Sequence, residues 1–205
     1  MMNHRELLAQ QIIEAGQFLY SRGWSPATSS NYSARLSETR ALLTVSGKHK
    51  GQLGLDDVLV TDLEGNSLEP GKKPSAETLL HTQLYRWKPE IGAVLHTHSV
   101  NATVLSRMVA DEALVLHDYE LQKAFSGITT HEGRVLVPIF ENDQDIARLA
   151  THVQTWLDTH PDCVGYLIRG HGLYTWGARM SDALRQIEAF EFLFECELKI
   201  LSIRT

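Results

Sequence analysis

The sequence predicts an α/β fold: one domain over residues 1–205, with a mixed, largely antiparallel central sheet and helices on both faces. Three observations predict it. Short apolar runs of strand length alternate with longer segments of helical period. The strand-like runs are short and mostly adjacent in sequence, with helices flanking them. No internal repeat, low-complexity tract or Pro/Gly/Ser linker is long enough to divide the chain.

Residues 4–21 read as an amphipathic helix, with Leu7, Leu8, Ile12, Ala15 and Leu19 on one stripe. "GWSPATSSNYSARL" ends it, and strand-like runs follow at 30–36 and 40–46. "VLVTDLEGNSLEPGKKP" holds a short strand and two turn signals, Glu-Gly-Asn and Pro-Gly. Ser75 is placed to cap a helix over about 76–87, closed by Pro89. "IGAVLHTH" reads as a buried strand with a helix after it through residue 107. A strand at 113–117, a short helix from 118 and the strand "RVLVPIF" come next. "DQDIARLATHVQTWLDTH" reads as a helix capped by Asp143. "CVGYLIRGHGLYTWG" reads as a hairpin turning at "RGHG", and a long helix from Ser181 ends the chain.

The bulk numbers suit this picture and exclude several functions. At 205 residues the chain can bury one sizeable core. Its formal net charge of -6 argues against nucleic-acid binding, which needs a basic face. No apolar run approaches bilayer length. The N-terminal "MMNHRELLAQQ" is polar and helical, so no secretory leader is expected. Cys163 and Cys196 are far apart and in no metal-binding spacing, which fits a reduced, cytoplasmic setting.

Ten histidines are the unusual feature. His4, His49, His152 and His160 sit in polar surroundings and read as surface residues. His81 lies on a predicted helix and His131 in a turn. His96, His98, His117 and His171 stand near the ends of apolar segments, where imidazole needs a partner. On a strand, His96 and His98 project from one face with Thr97 on the other. Two imidazoles are weak evidence alone, because zinc takes at least three protein ligands. His171, between Gly170 and Gly172, completes the set. Three neutral nitrogens and no thiolate suit one Zn²⁺ per chain with a position open for substrate. Three core histidines satisfied by hydrogen bonds would be the alternative, and His117 beside Asp118 is a spare candidate.

A second cluster suits an anion. "SSNYS" around Asn31, "TVSGK" with Ser46, Gly47 and Lys48, and "KKPSAE" with Ser75 offer hydroxyls, amides and backbone N–H groups. Ser75 stands at a helix start, which favours negative charge, and Lys48 adds a point charge. Together they suggest a small phosphorylated substrate. Two carboxylates, Glu77 after Ser75 and Glu120 in "HDYELQKAF", could move protons beside a metal.

"PSAE", then "AVLHTHS", then "RGHGLYTWG" ahead of a long C-terminal helix resembles the class II aldolase/adducin-head family over nearly the whole chain. The resemblance implies zinc ligands His96, His98 and His171, and a phosphate cradle of Asn31, Ser46, Gly47 and Ser75. Sugar-phosphate aldolases of the family carry a second serine where this chain has Ala76. "LHDYELQKAF" and "VLVPIFEN" look like a dehydratase branch acting on a phosphorylated methylthio-ketose. There the glutamate matching Glu120 is the catalytic acid/base. Aldolases and epimerases of the family rely on the glutamate matching Glu77 or on a tyrosine near the C-terminus, and no tyrosine follows Tyr174 here. A non-catalytic binding module, like the adducin head, is the alternative of another class. The resemblance also implies a homotetramer with sites near subunit borders.

Overall fold

Helix α1 (His4–Ser21) begins at a capping box. Asn3 Oδ1 accepts from the Glu6 N–H, and Glu6 Oε2 accepts from the Asn3 N–H, each at 2.9 Å, so two otherwise unpaired donors are satisfied together. The buried stripe is Ala9, Ile12, Ile13, Ala15, Gly16 and Leu19. Leu7, expected on that stripe, is 47% exposed; the helix turns Ala9 and Ile13 inward instead. The computed structural model describes residues 2–204.

Eight strands follow the expected order: β1 (Asn31–Arg35), β2 (Arg40–Thr44), β3 (Val58–Asp62), β4 (Ala93–Thr97), β5 (Ala113–His117), β6 (Arg134–Phe140), β7 (Gly165–Ile168) and β8 (Gly172–Gly177). They form one sheet in the order β3-β2-β1-β4-β8-β7-β6-β5. Every neighbouring pair is antiparallel except β6 with β7. That one parallel pair is spanned by helix α4 (Ile146–Thr159), the crossover a parallel step requires. The sheet is thus mixed and largely antiparallel, as predicted.

Strand side chains alternate between two apolar layers. Leu95, Leu167 and Leu173 join α1 and the long helix α5 (Met180–Arg204) through Ile12, Leu19, Phe190 and Phe194. Val94, Tyr166 and Tyr174 join α2 (Thr78–Trp87) and α4 through Leu80, Leu84 and Val153. Helices on both faces follow from that alternation, since each apolar face of the sheet must be covered.

Two caps differ from expectation. Helix α2 starts at Thr78, with Glu77 rather than Ser75 at the cap position and no side-chain cap bond. Ser75 instead closes the preceding turn, its carbonyl accepting from the Thr78 hydroxyl at 2.6 Å. At α4 the cap is Asp145, which accepts from the Arg148 N–H, while Asp143 pairs with the Arg148 guanidinium at 2.5 Å. The short helix expected from residue 118 is a single 3-10 stretch, Glu120–Ala124.

Candidate metal centre

Sheet register builds the site. Asn31 on β1 pairs with His96 on β4, and His96 pairs with Tyr174 on β8, so three strands contribute neighbouring residues in one row. The His96 ring stacks on Tyr174, with centroids 4.0 Å apart. His98 lies just past the end of β4, its backbone N–H held by the Trp24 carbonyl at 2.8 Å. Ser99 then caps helix α3 (Val100–Met108).

His171 arrives from the β7–β8 turn. Gly170 takes the left-handed conformation, φ 64, which favours glycine. Its N–H donates to Ser106 Oγ at 2.9 Å, and Thr103 Oγ1 donates to the His171 carbonyl at 3.1 Å. A Cβ on Gly172 would stand 2.0 Å from the Thr97 carbonyl oxygen, so glycine is what lets the hairpin close onto β4. The two glycines flanking His171 thus place it.

One ring nitrogen from each of His96, His98 and His171 lies within 4.8 Å of the other two, a group that could hold a metal ion. His96 Nδ1 donates to the Leu173 carbonyl at 2.9 Å, which directs its Nε2 lone pair into the site. That Nε2 is fully buried with no hydrogen-bond partner. A buried imidazole nitrogen facing two other imidazoles fits a cation and is costly without one. Burial, with His98 and His171 alongside, holds His96 well below its usual pKa. Burial also brings His98 down to about 4, with His171 adding to the effect. Both stay neutral at physiological pH, the state a metal needs.

Glu77 is the carboxylate inside this cluster. Its oxygens lie 3.4 Å from His96 Nε2 and 3.2 Å from His171 Nε2. Tyr174 OH and Asn31 Nδ2 both donate to Glu77 Oε2, at 2.8 and 2.7 Å. Behind Asn31 stands His81, on helix α2 as its sequence position predicts. It is fully buried, and its Nε2–H donates to Asn31 Oδ1. Its Nδ1 therefore accepts from Ser33 Oγ at 2.7 Å, and Ser33 bonds Tyr85 OH at 2.7 Å. Burial drives His81 down to about 3, so it is neutral. The chain Tyr85–Ser33–His81–Asn31 leaves the Asn31 amide one orientation, N–H toward Glu77.

Two cavities meet at Ala76, Glu77 and His98. One, about 200 Å³, has Ser29, Asn31, Ser46, Gly47 and Ser75 in its wall; these include four of the expected anion contacts. Lys48 is not in that wall. It is 54% exposed and pairs with Asp57 at 3.0 Å. Lys50 takes the place instead: it is 1% exposed and lines the cavity. The second cavity, about 560 Å³, runs from His98 and His171 to Asn142, Ile146 and Leu149. A larger one, about 730 Å³, lies by Lys88, Trp156 and Trp176 and includes none of the three histidines.

Glu120 is elsewhere on the chain. Its side chain is 74% exposed and pairs with Lys123 at 2.6 Å and His131 at 3.6 Å; the Lys123 ammonium draws its carboxyl below the usual range. His117 is likewise exposed and bonded to Asp118. Within one chain, neither lines either cavity beside the histidines.

The sequence pattern of the Class II Aldolase and Adducin N-terminal domain matches residues 10–198. The chain belongs to this family. Among curated members, the methylthioribulose-1-phosphate dehydratase of Pseudomonas aeruginosa is 82% identical over 203 residues, covering 99% of each chain. Its counterpart in Pseudomonas fluorescens is 81% identical over 199 residues, covering 97% of this chain and 96% of that one. Among solved structures of class II aldolases, the l-fuculose-1-phosphate aldolase of Thermus thermophilus superposes with TM-score 0.78 at 25% identity, covering 98% of each chain. A sugar-phosphate aldolase from Thermotoga maritima shares the fold, with TM-score 0.69 at 17% identity, covering 98% and 97%.

Proposed function

We propose that this family member is a zinc-dependent hydro-lyase converting 5-methylthioribulose-1-phosphate to 2,3-diketo-5-methylthiopentyl-1-phosphate and water, in methionine salvage. The observation that carries the reading is 82% identity to the curated dehydratases over 99% of both chains. The two cavities meeting at the histidine cluster support it: a small hydroxyl-lined end for the phosphoryl group and a larger one with Ile146 and Leu149 for the methylthio tail.

His96, His98 and His171 would hold the zinc, which when bound polarises the substrate's C2 carbonyl and so acidifies the C3 proton. Asn31, Ser46, Gly47 and Ser75 hold the phosphoryl group. Glu120 takes the C3 proton, keeps it, and returns it to the departing C4 hydroxyl as water forms. The resulting enol ketonises to the diketone. A single carboxylate serves both steps because it carries the proton at the moment the leaving group needs it. Since Glu120 is exposed and away from the histidines of its own chain, it would act at the site of a neighbouring subunit, in the homotetramer that the family resemblance implies. Glu77 orients substrate and ligands. The two free cysteines accord with a reducing cytoplasm as the working compartment.

One observation favours a second reading, an aldolase or epimerase: Glu77, not Glu120, is the carboxylate among the histidines. The experiment that decides is incubation of pure zinc-loaded protein with methylthioribulose-1-phosphate. The dehydratase yields the five-carbon diketone phosphate. Retro-aldol cleavage would yield shorter fragments and overturn the reading.

A further inference from the structure

Lys50 presents a problem of physical chemistry. An ammonium is expensive to remove from water, yet this side chain is 1% exposed. Among the described residues no carboxylate lies within ion-pair distance of it. Its Nζ donates to two carbonyls, Thr28 at 3.1 Å and Lys48 at 2.6 Å, leaving one of three N–H donors without a protein acceptor. Thr28 is itself in the wall of the small cavity, with Asn31, Ser46 and Ser75. The burial is built in. Gly16 of α1 packs so closely that a Cβ there would stand 2.5 Å from the Lys50 carbonyl oxygen, and the Tyr20 ring crowds Gly51. Helix α1 thus clamps this segment down over the cavity.

We propose that Lys50 supplies the counter-charge for the phosphoryl group in the small cavity, the role that position in sequence had suggested for Lys48. The proposal deepens the phosphorylated-ketose reading and rests on it. Hydroxyls and amides alone would leave a phosphate dianion uncompensated in a confined space, and Lys50 is the lysine in that wall; the Asp57 carboxylate that acts on it is paired directly with Lys48 at 3.0 Å. Burial lowers its pKa to about 8 and also weakens screening, so an anion beside it is bound more strongly than at an exposed lysine. Lys48, exposed and committed to Asp57, contributes little.

Inorganic phosphate is the probe, titrated into zinc-loaded protein by calorimetry, with no turnover required. Lys50→Met should weaken phosphate binding about 10- to 100-fold, the range for a lost hydrogen bond to a charged group. Lys48→Met should leave it within about twofold of the unchanged protein. Binding of the dephosphorylated sugar should be unchanged in both. Equal phosphate affinity in Lys50→Met and the unchanged protein would overturn the proposal, as would equal loss for phosphate and the dephosphorylated sugar. Should Lys50→Met fail to fold, the Nζ resonance of Lys50 in the unchanged protein is followed by NMR. Phosphate must shift it and chloride at matched ionic strength must not; no shift overturns the assignment. Failure of the dehydratase reading would show separately, as unchanged protein that binds phosphate without converting methylthioribulose-1-phosphate.

Discussion

The two glutamates differ most at the level of single residues. Glu120 is solvent-exposed and Glu77 is locked among Tyr174, Asn31 and two histidines. Glu120→Gln should keep zinc and substrate binding while losing most dehydration and exchange of the C3 proton with deuterated solvent, because the amide is nearly isosteric but takes no proton. Glu77→Gln should lose less. Measuring kcat for both at matched zinc occupancy checks this, and the reverse order would favour aldol chemistry. At the histidines, His96→Ala or His171→Ala should lose most bound zinc; full occupancy in both would put the metal elsewhere. For the cradle, Ser75→Ala should raise KM more than it lowers kcat, as loss of uniform binding does, whereas Asn31→Ala also removes a hydrogen bond to Glu77. The three histidines were legible because spaced imidazoles at the ends of apolar runs are uncommon. Lys50 was not, since nothing local separates a buried lysine from an exposed one two residues away. Its depth is set by Gly16, in a helix far earlier in the chain. The role of His81 is hidden for a similar reason: helical position says nothing about which strand lies beneath.

Secondary elements were more readable than their ends. Strands and helices lie where apolar period put them, because both layers of the core impose the alternation directly. The misplaced caps at Ser75 and Asp143 share one cause. Each segment offers more than one polar residue ahead of the apolar stripe, and only three-dimensional contacts choose among them. The β7–β8 hairpin offers a sharp test of how an element places a ligand. Gly172→Ala would set a methyl group 2.0 Å from the Thr97 carbonyl oxygen, so the turn must move and take His171 with it. We expect zinc affinity to fall at least about tenfold, the usual cost of disturbing what orients a ligand. Unchanged affinity by competition with a chelator would show that the turn is more pliable than its packing implies.

For the molecule as a whole, stability should depend on pH through Glu191, a buried residue of α5. Burial raises its carboxyl from 4.5 to about 7. The folded state therefore holds a proton that the unfolded chain releases, and stability falls as pH rises from about 4.5 to 7. Glu191→Gln removes that penalty. Thermal unfolding should give the variant a melting temperature a few degrees above the unchanged protein at pH 8, on the order of what one or two kcal/mol produces at this size, with the gap closing by pH 4.5. A gap that persists there would assign the effect to packing instead. Sedimentation at micromolar concentration should find a tetramer, and a monomer would leave Glu120 with no site to serve.

The row Asn31–His96–Tyr174 also bears on how the chain can change over time. In a sheet, slipping one strand by a single residue sends every side chain to the opposite face. Such a slip of β1 would carry Asn31 away from Glu77 and put Tyr32 in its place, and a slip of β8 would remove Tyr174. Insertions or deletions inside β1, β4 or β8 would therefore abolish the site even where the chain still folded, whereas the exposed turn between β1 and β2 can lengthen freely. Metal binding would then report on register: a chain that has paired its central strands out of step would not bring His96, His98 and His171 together.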